Sequence, residues 1–230
     1  AQNDTQKSTF SAVSDRPLVT EGEAMQTRGF FISLEGIDGC GKTTLKENLL
    51  AQLGRSHTVI GIREPGGTVI SEKIRDMLLD VRNNGIIGRT EALLYAAARS
   101  QVVEEIIRPA LAQDQIIIAD RYMDSTIAYQ GYGRGLDLAF LADLNRICTG
   151  GLKPDLTLLL DIKPLEAQKR RNKEIPDRVE QEGLEFQARV QAGYLELWKK
   201  EPLRIKRLDA SHDPQELAVE AMQLIAELRP

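Results

Sequence analysis

Phe30-Phe31-Ile32-Ser33-Leu34-Glu35-Gly36-Ile37-Asp38-Gly39-Cys40-Gly41-Lys42-Thr43-Thr44 is the stretch on which the reading of this chain turns. Residues 30–34 are an apolar run that reads as a buried strand. A glycine-rich turn follows, and residues 45–53 continue as a helix. Gly36, Gly41, Lys42 and Thr43 fit G-x-x-x-x-G-K-[ST], a phosphate-binding loop between a strand and a helix. The spacing has a physical basis. The glycines let the backbone wrap an anion with its N–H groups turned inward, and the helix adds the positive end of its dipole. Lys42 is placed to reach the β- and γ-phosphates of a nucleotide, and the Thr43 hydroxyl to meet Mg²⁺.

The chain has 230 residues and is 42% hydrophobic, enough for one α/β domain with a full core. A net charge of −4 gives no global field that would attract nucleic acid or a membrane surface, so phosphates must be gripped locally. No apolar run approaches the ~18 residues of a membrane span. The two cysteines, Cys40 and Cys148, form no framework, and Cys40 lies inside the phosphate loop, where a disulfide would obstruct. Both read as reduced thiols of a cytoplasmic protein. Residues 1–24 are polar and aperiodic and contain no secretory signal pattern, which predicts a flexible tail or a remnant of upstream coding sequence. Met25 reads as the natural start, and residues 25–230 as one domain.

Strand and helix patterns alternate along the rest, which predicts a parallel sheet of about five strands with helices on both faces. Residues 57–62 read as a second strand, running into a loop at Arg63-Glu64-Pro65-Gly66-Gly67-Thr68. Residues 69–79 read as a helix with Ile70, Ile74, Met77 and Leu78 on one face. Thr90 reads as the N-cap of a long core helix to about residue 112, kinked at Pro109. Residues 115–119 form an apolar strand ending in Asp120-Arg121, followed by a helix and a glycine loop at 131–135. Further helices are expected at 138–148, from Pro164 onward, at 183–199 and at 217–228. Strands are expected at 156–160 and, at a sheet edge, at 203–208.

Three features narrow the chemistry. Asp120-Arg121 ends a strand at the carboxyl edge, where open α/β sheets bind ligands; the acid can help hold Mg²⁺ and the guanidinium can grip a phosphate. The basic run Lys169-Arg170-Arg171-Asn172-Lys173, with Arg178 beyond it, sits beside a helix break at Pro176 and reads as a mobile lid over about 169–182. Cations on such a lid suit phosphoryl transfer, in which charge spread over three oxygens must be stabilised. Tyr95 and Arg99 are spaced i, i+4 and share a helix face suited to a base. His57 and His212 read as structural or solvent-exposed, and no Cys/His cluster suggests zinc.

These blocks, with Glu91-Ala92-Leu93-Leu94-Tyr95-Ala96-Ala97-Ala98-Arg99 and Asp120-Arg121-Tyr122-Met123-Asp124-Ser125-Thr126-Ile127-Ala128-Tyr129-Gln130-Gly131, resemble the bacterial thymidylate kinases over about residues 28–228. The resemblance implies a P-loop nucleoside-monophosphate kinase fold with a lid, a homodimer, and transfer of a phosphoryl group from ATP to dTMP with Mg²⁺. It implies that Gly36, Ile37, Asp38, Gly39, Cys40, Gly41, Lys42, Thr43 and Thr44 hold the ATP phosphates, with Arg178 and Ala210 also on the ATP side. Asp38 would take the sugar 3′-hydroxyl of dTMP. Arg75 and Arg121 would hold the acceptor phosphate, Tyr95 would stack on thymine where the family usually has Phe, and Arg99, Thr126 and Gln130 would meet the base. Tyr129 would crowd the 2′ position. Thr43, Glu64 and Asp120 belong to the magnesium neighbourhood, and Glu64 also to the acceptor site. The catalytic set would be Lys42, Asp38 and Arg121 with lid cations. The family's lid arginine falls near Lys173, and Arg170, Arg171 or Arg178 are the alternatives. Two rival readings stand beside this one. The first is a kinase for another nucleotide or nucleoside. The second is a nucleotide switch, suggested by Leu152-Lys153-Pro154-Asp155, in which Leu replaces the Asn of the guanine-reading Asn-Lys-x-Asp.

Overall fold

The computed structural model describes residues 29–171 and 176–228. The expected tail over 1–24, and Lys173 in the lid, lie outside the described residues. The elements in order are β1 (Phe30–Glu35), α1 (Lys42–Leu53), β2 (Val59–Arg63), α2 (Val69–Leu79), α3 (Gly88–Val102), a π-helical turn (Val103–Ile107) and α4 (Arg108–Ala112). Then come β3 (Ile116–Asp120), α5 (Met123–Thr126), a second π-helical stretch (Ile127–Gly133), α6 (Leu138–Thr149), β4 (Leu156–Asp161) and α7 (Pro164–Arg170). The chain closes with α8 (Gly183–Lys200), β5 (Ile205–Asp209) and α9 (Pro214–Leu228).

The five strands form one parallel sheet in the order β2-β3-β1-β4-β5, as the alternating pattern predicts. The central strands are apolar on both faces because both faces are covered. Ile32 and Leu34 of β1, with Ile116 and Ile118 of β3, pack into one core with Leu45 and Leu49 of α1 and with α8 and α9. Phe31, Ile117 and Ala119 point the other way, into a second core with Val102, Val103 and Ile107. Every residue of β1 is buried, which brings the phosphate loop out of the middle of the sheet at its carboxyl edge. The last strand is at an edge, as its mixed charge predicts, but begins at Ile205 instead of 203.

Three details depart from the sequence reading, and one, the interruption of the long helix near Pro109, agrees with it. The long helix starts at Gly88 behind Ile87, so Thr90 lies in its first turn and is not its cap. The helix does not run straight to Ala112. It widens into a π turn before Pro109, where the proline ring would otherwise meet the carbonyl four residues back. The glycines at 131 and 133 are helical, not a loop. A Cβ on Gly131 would lie 2.6 Å from Leu138, and one on Gly133 would lie 2.7 Å from the Phe186 ring. They are glycines because neighbouring side chains fill the space. Finally, only part of the expected apolar face of α2 is buried: Leu78 is sealed, while Ile70 and Met77 are about half exposed.

The close approach at Gly133 yields a direct test. Gly→Ala in a helix normally gains up to ~1 kcal/mol, but here overpacking against Phe186 is expected to cost ~1–3 kcal/mol. Gly133→Ala should therefore lower the melting temperature. An unchanged or higher value would show that the π stretch and α8 do not pack this closely.

Candidate active site

The phosphate loop leaves β1 at Gly36, which has φ +144°, and a Cβ there would meet the Leu160 carbonyl at 2.5 Å. Gly41, at φ +102°, caps α1 in a left-handed conformation that any other residue would strain. Lys42 is the first residue of that helix. Its Nζ folds back over the loop and donates to the Gly36 and Ile37 carbonyls at 3.1 and 3.0 Å, with Cys40 Sγ at 3.5 Å. The ammonium is thus held at the centre of the loop. Cys40 is sealed beneath it as a free thiol.

Arg121 is the second anchor. It follows β3 with φ +72°, an uncommon conformation for a residue with a side chain. Its Nη1 donates to Gly36 O at 2.9 Å, Tyr194 OH at 3.2 Å and Ser125 Oγ at 3.3 Å. Its Nη2 donates to Asp38 Oδ1 and to Tyr129 OH. Asp38 Oδ2 also accepts from Tyr129 OH and from Gln187 Nε2. Burial would raise the Asp38 carboxyl, but Arg121 first and Lys42 next hold it well below the usual carboxylate range.

All nine substrate-side residues expected from the sequence line one cavity of about 100 Å³: Asp38, Glu64 and Arg75; Tyr95, Arg99 and Arg121; Thr126, Tyr129 and Gln130. A larger opening of about 1150 Å³ is lined by residues 38–45 of the phosphate loop and α1, by Asp120 and by Lys169, Arg170 and Arg171. The two share Asp38, Glu64, Arg75, Arg121, Asp177 and Glu180 in their walls, so they adjoin. Arg99 is nearly sealed. It donates to Glu64 Oε2 at 2.7 Å, Thr126 Oγ1 at 2.7 Å, Asn145 Oδ1 at 2.8 Å and Tyr122 O at 3.0 Å. Burial works against its charge, but the Glu64 carboxylate beside it raises its pKa. Glu64 Oε1 is buried with no partner among the described residues. Arg75 donates to Pro65 O at 2.9 Å, and burial followed by Arg63 lowers its pKa.

Among the described residues there is no cluster of three or more His, Cys, Asp or Glu side chains fit to cage a metal. Thr43, Asp120 and Glu64 do line the loop cavity together. That donor set of isolated oxygens suits Mg²⁺, which takes one or two protein ligands and completes its shell with phosphate and water.

The lid residues divide. Arg171 lies against the phosphate loop: a Cβ on Gly39 would meet its Cγ at 2.8 Å. Its Nη1 is 3.4 Å from Glu180, and its Nε is buried without a partner among the described residues. Arg170 turns aside to donate to the Ala210 carbonyl at 2.9 Å, joining α7 to the loop after β5. Arg178 is the clearest departure from the sequence reading. It is buried, donates Nε to Leu78 O and Nη2 to Glu91 Oε2, both at 2.6 Å, and does not line the loop cavity. It ties the segment after residue 175 to α2 and α3. The guanine-reading imitation also dissolves: the Asp155 carboxylate accepts from the Phe31 backbone N–H at 2.7 Å, and Lys153 sits 3.8 Å from Glu201. His57 bonds the adjacent Ser56 hydroxyl, and His212 lies on the rim of the loop cavity, 3.9 Å from Asp209.

Sequence reasoning missed Glu35, Tyr194 and Gln187. Glu35 ends β1, wholly buried, and accepts from Tyr122 N at 2.8 Å, Ser125 Oγ at 2.6 Å and Tyr194 OH at 2.8 Å. Gln187 and Tyr194 lie on the core face of α8 with Phe186 and Val190. A polar pair seven residues apart on an apolar stripe was the available signal.

Burial, and then Asp124, push the Glu35 carboxyl from 4.5 up to about 7. The native state then holds this proton longer than the unfolded chain does. Its contribution to stability is complete below pH 4.5 and is lost as pH rises to about 7. Chemical denaturation from pH 5 to 8 should show wild type losing on the order of 2–3 kcal/mol relative to Glu35→Gln. Parallel curves for the two proteins would remove Glu35 as the titrating group.

Comparison with known proteins bears on the whole arrangement. The family model described as thymidylate kinase matches residues 34–221. A thymidylate kinase of Desulforudis audaxviator is 53% identical over 178 residues, 76% of this chain and 80% of the relative. One of Latilactobacillus sakei is 46% identical over 204 residues, 86% of this chain and 95% of the relative. The crystal structure of thymidylate kinase from Ehrlichia chaffeensis superposes with a TM-score of 0.72 at 33% identity, covering 86% of this chain and 98% of that one. With a five-stranded parallel sheet, a phosphate loop and matches of this extent, the chain belongs to the thymidylate kinase family.

Proposed function

We propose that this protein transfers the γ-phosphoryl group of ATP to dTMP, giving ADP and dTDP. The observation that carries the reading is the adjacency of two cavities, one formed around the phosphate loop and one lined by the nine acceptor-side residues, with Asp38 and Arg121 in the walls of both. In this reading the loop N–H groups and Lys42 hold the ATP phosphates, and Arg75 and Arg121 hold the phosphate of dTMP. Asp38 takes the sugar hydroxyl, Tyr129 braces that sugar site, Tyr95 covers the base, and Arg99, Thr126 and Gln130 meet its edge. Mg²⁺ held near Thr43, Asp120 and Glu64 would neutralise charge on the β- and γ-oxygens. The protein's own work is positioning and electrostatic stabilisation, with no covalent intermediate on the enzyme.

The lid supplies the last cations. Arg171 lies against the loop, while Arg170 is bonded to Ala210, so Arg171 is the described lid residue that best fits contact with the transferring group. Lys42→Ala is expected to lower kcat roughly 10²–10³-fold in a coupled ADP-release assay while the protein stays folded. Among Lys169, Arg170 and Arg171, alanine at Arg171 should lower kcat most, with little change in the KM for dTMP. Equal small losses at all three would make the lid a diffuse charged face. dUMP should be used about 10–200-fold less well than dTMP, since it lacks only the methyl.

The proposal extends to a homodimer. α3 packs against both α2 and α6, and these adjacent helices expose Val69, Ile70 and Met77, Leu93, and Ile147. Apolar surface on three neighbouring helices suits an isologous contact with a second copy. Sedimentation velocity should give a dimer, and Met77→Asp with Ile147→Asp should give a monomer. A monomeric wild type at micromolar concentration would sink this part of the proposal.

A further inference from the structure

Glu91 of α3 is 1% exposed, and four N–H groups converge on its carboxylate. Gln130 Nε2 and Arg134 Nε donate to Oε1 at 2.9 and 3.2 Å. Arg134 Nη2 and Arg178 Nη2 donate to Oε2 at 3.1 and 2.6 Å. Burial opposes the charge, but these bonds hold the carboxyl below its ordinary range, so it stays ionised and can only accept.

An acceptor-only neighbour decides which way a carboxamide faces. Gln130 must turn its amino end to Glu91, because the opposite orientation would set its carbonyl oxygen against a carboxylate. Its Oε1 therefore points away from Glu91. No described group donates to that oxygen, and it is not one of the sealed unpartnered atoms of the interior, which are Glu64 Oε1, Arg171 Nε and Gln187 Oε1. Gln130 lines the acceptor cavity, which leaves that cavity as the place for the oxygen to turn.

We propose that Glu91 is a specificity-setting positioning residue: by taking the amino end of Gln130, it fixes the carboxamide oxygen toward the acceptor base. The cavity then selects a pyrimidine carrying N–H at ring N3 over one carrying a lone pair there. Thymine and uracil donate at N3. Cytosine presents an acceptor, which would face another acceptor and leave both unpaired. Glu91 does not touch the substrate. This inference rests on the reading of the cavity as a dTMP site.

The test is Glu91→Gln. Gln at 91 can offer its own amino group to Gln130 Oε1, which frees Gln130 to present N–H to the cavity. The ratio of kcat/KM for dTMP to that for dCMP should fall at least about tenfold, chiefly through a higher KM for dTMP, with the KM for ATP unchanged. An unchanged ratio with both substrates equally impaired would mean that Glu91 is only structural, and would overturn the inference. If wild type itself used dCMP as well as dTMP, the dTMP reading would fall, and the role of Glu91 with it.

A second measurement needs no Glu91 variant. In wild-type protein, the Gln130 side-chain N–H pair, identified by its loss in Gln130→Met, should exchange slowly with solvent before any ligand is added. It should stay slow and nearly unshifted when dTMP binds. Exchange as fast as for an exposed glutamine, or protection that arises only with dTMP, would show that Glu91 does not hold the amide.

Discussion

The Arg121 guanidinium is the interaction around which the rest of the site is built. It stands at the end of β3 in a left-handed backbone conformation. Such a conformation costs about 1–3 kcal/mol and persists only where surroundings over-determine it. Here they do. One planar group bonds the phosphate loop through Gly36 O and Asp38, the α5 region through Ser125 and Tyr129, and α8 through Tyr194. Behind it, Glu35 gathers Ser125, Tyr194 and the Tyr122 N–H, so the hydroxyls that brace Arg121 are themselves held. The loop, the cavity beside it and α8 are therefore tied together by a single side chain.

The chain carries a net charge of −4, yet its two adjoining cavities are lined by Lys42, Arg75, Arg99 and Arg121. Three arginines with little or partial exposure are offset locally: Arg121 by Asp38, Arg99 by Glu64, and Arg178 by Glu91. Buried pairs of this kind are weak sources of stability, because desolvation consumes much of the attraction. What they secure is geometry. Donors already fixed in place lose little on meeting an anion, which is the condition for electrostatic stabilisation of a transferring phosphoryl group.

The chain is anchored on both sides of residues 172–175, and differently. Arg170 joins α7 to the loop after β5, while Arg178 binds the segment before α8 to Leu78 and Glu91. The carboxylate that takes Arg178 is the same one that orients Gln130. The segment before α8 and the wall of the cavity at Gln130 thus share one buried charge.

The strand–loop–helix at 30–53 and the five-strand parallel pattern were legible in the sequence, which also named nine residues that share a cavity. These signals are local: glycine spacing, apolar runs and short motifs depend on neighbours in the chain. All nine acceptor-side residues do line one cavity. Only the tertiary structure decided the rest. Gly131 and Gly133 read as loop residues until Leu138 and Phe186 are seen to occupy the space beside them. Arg178 read as an ATP contact because its charge was visible and its partner, Glu91, stood 87 residues away. Glu35 passed as a motif residue, since its burial and its bonds to Tyr122, Ser125 and Tyr194 exist only when β1, α5 and α8 meet. A side chain's type is written in the sequence. Which groups desolvate it and which pair with it depend on contacts between distant segments, and those contacts gave Arg178, Gln130 and Glu35 their roles.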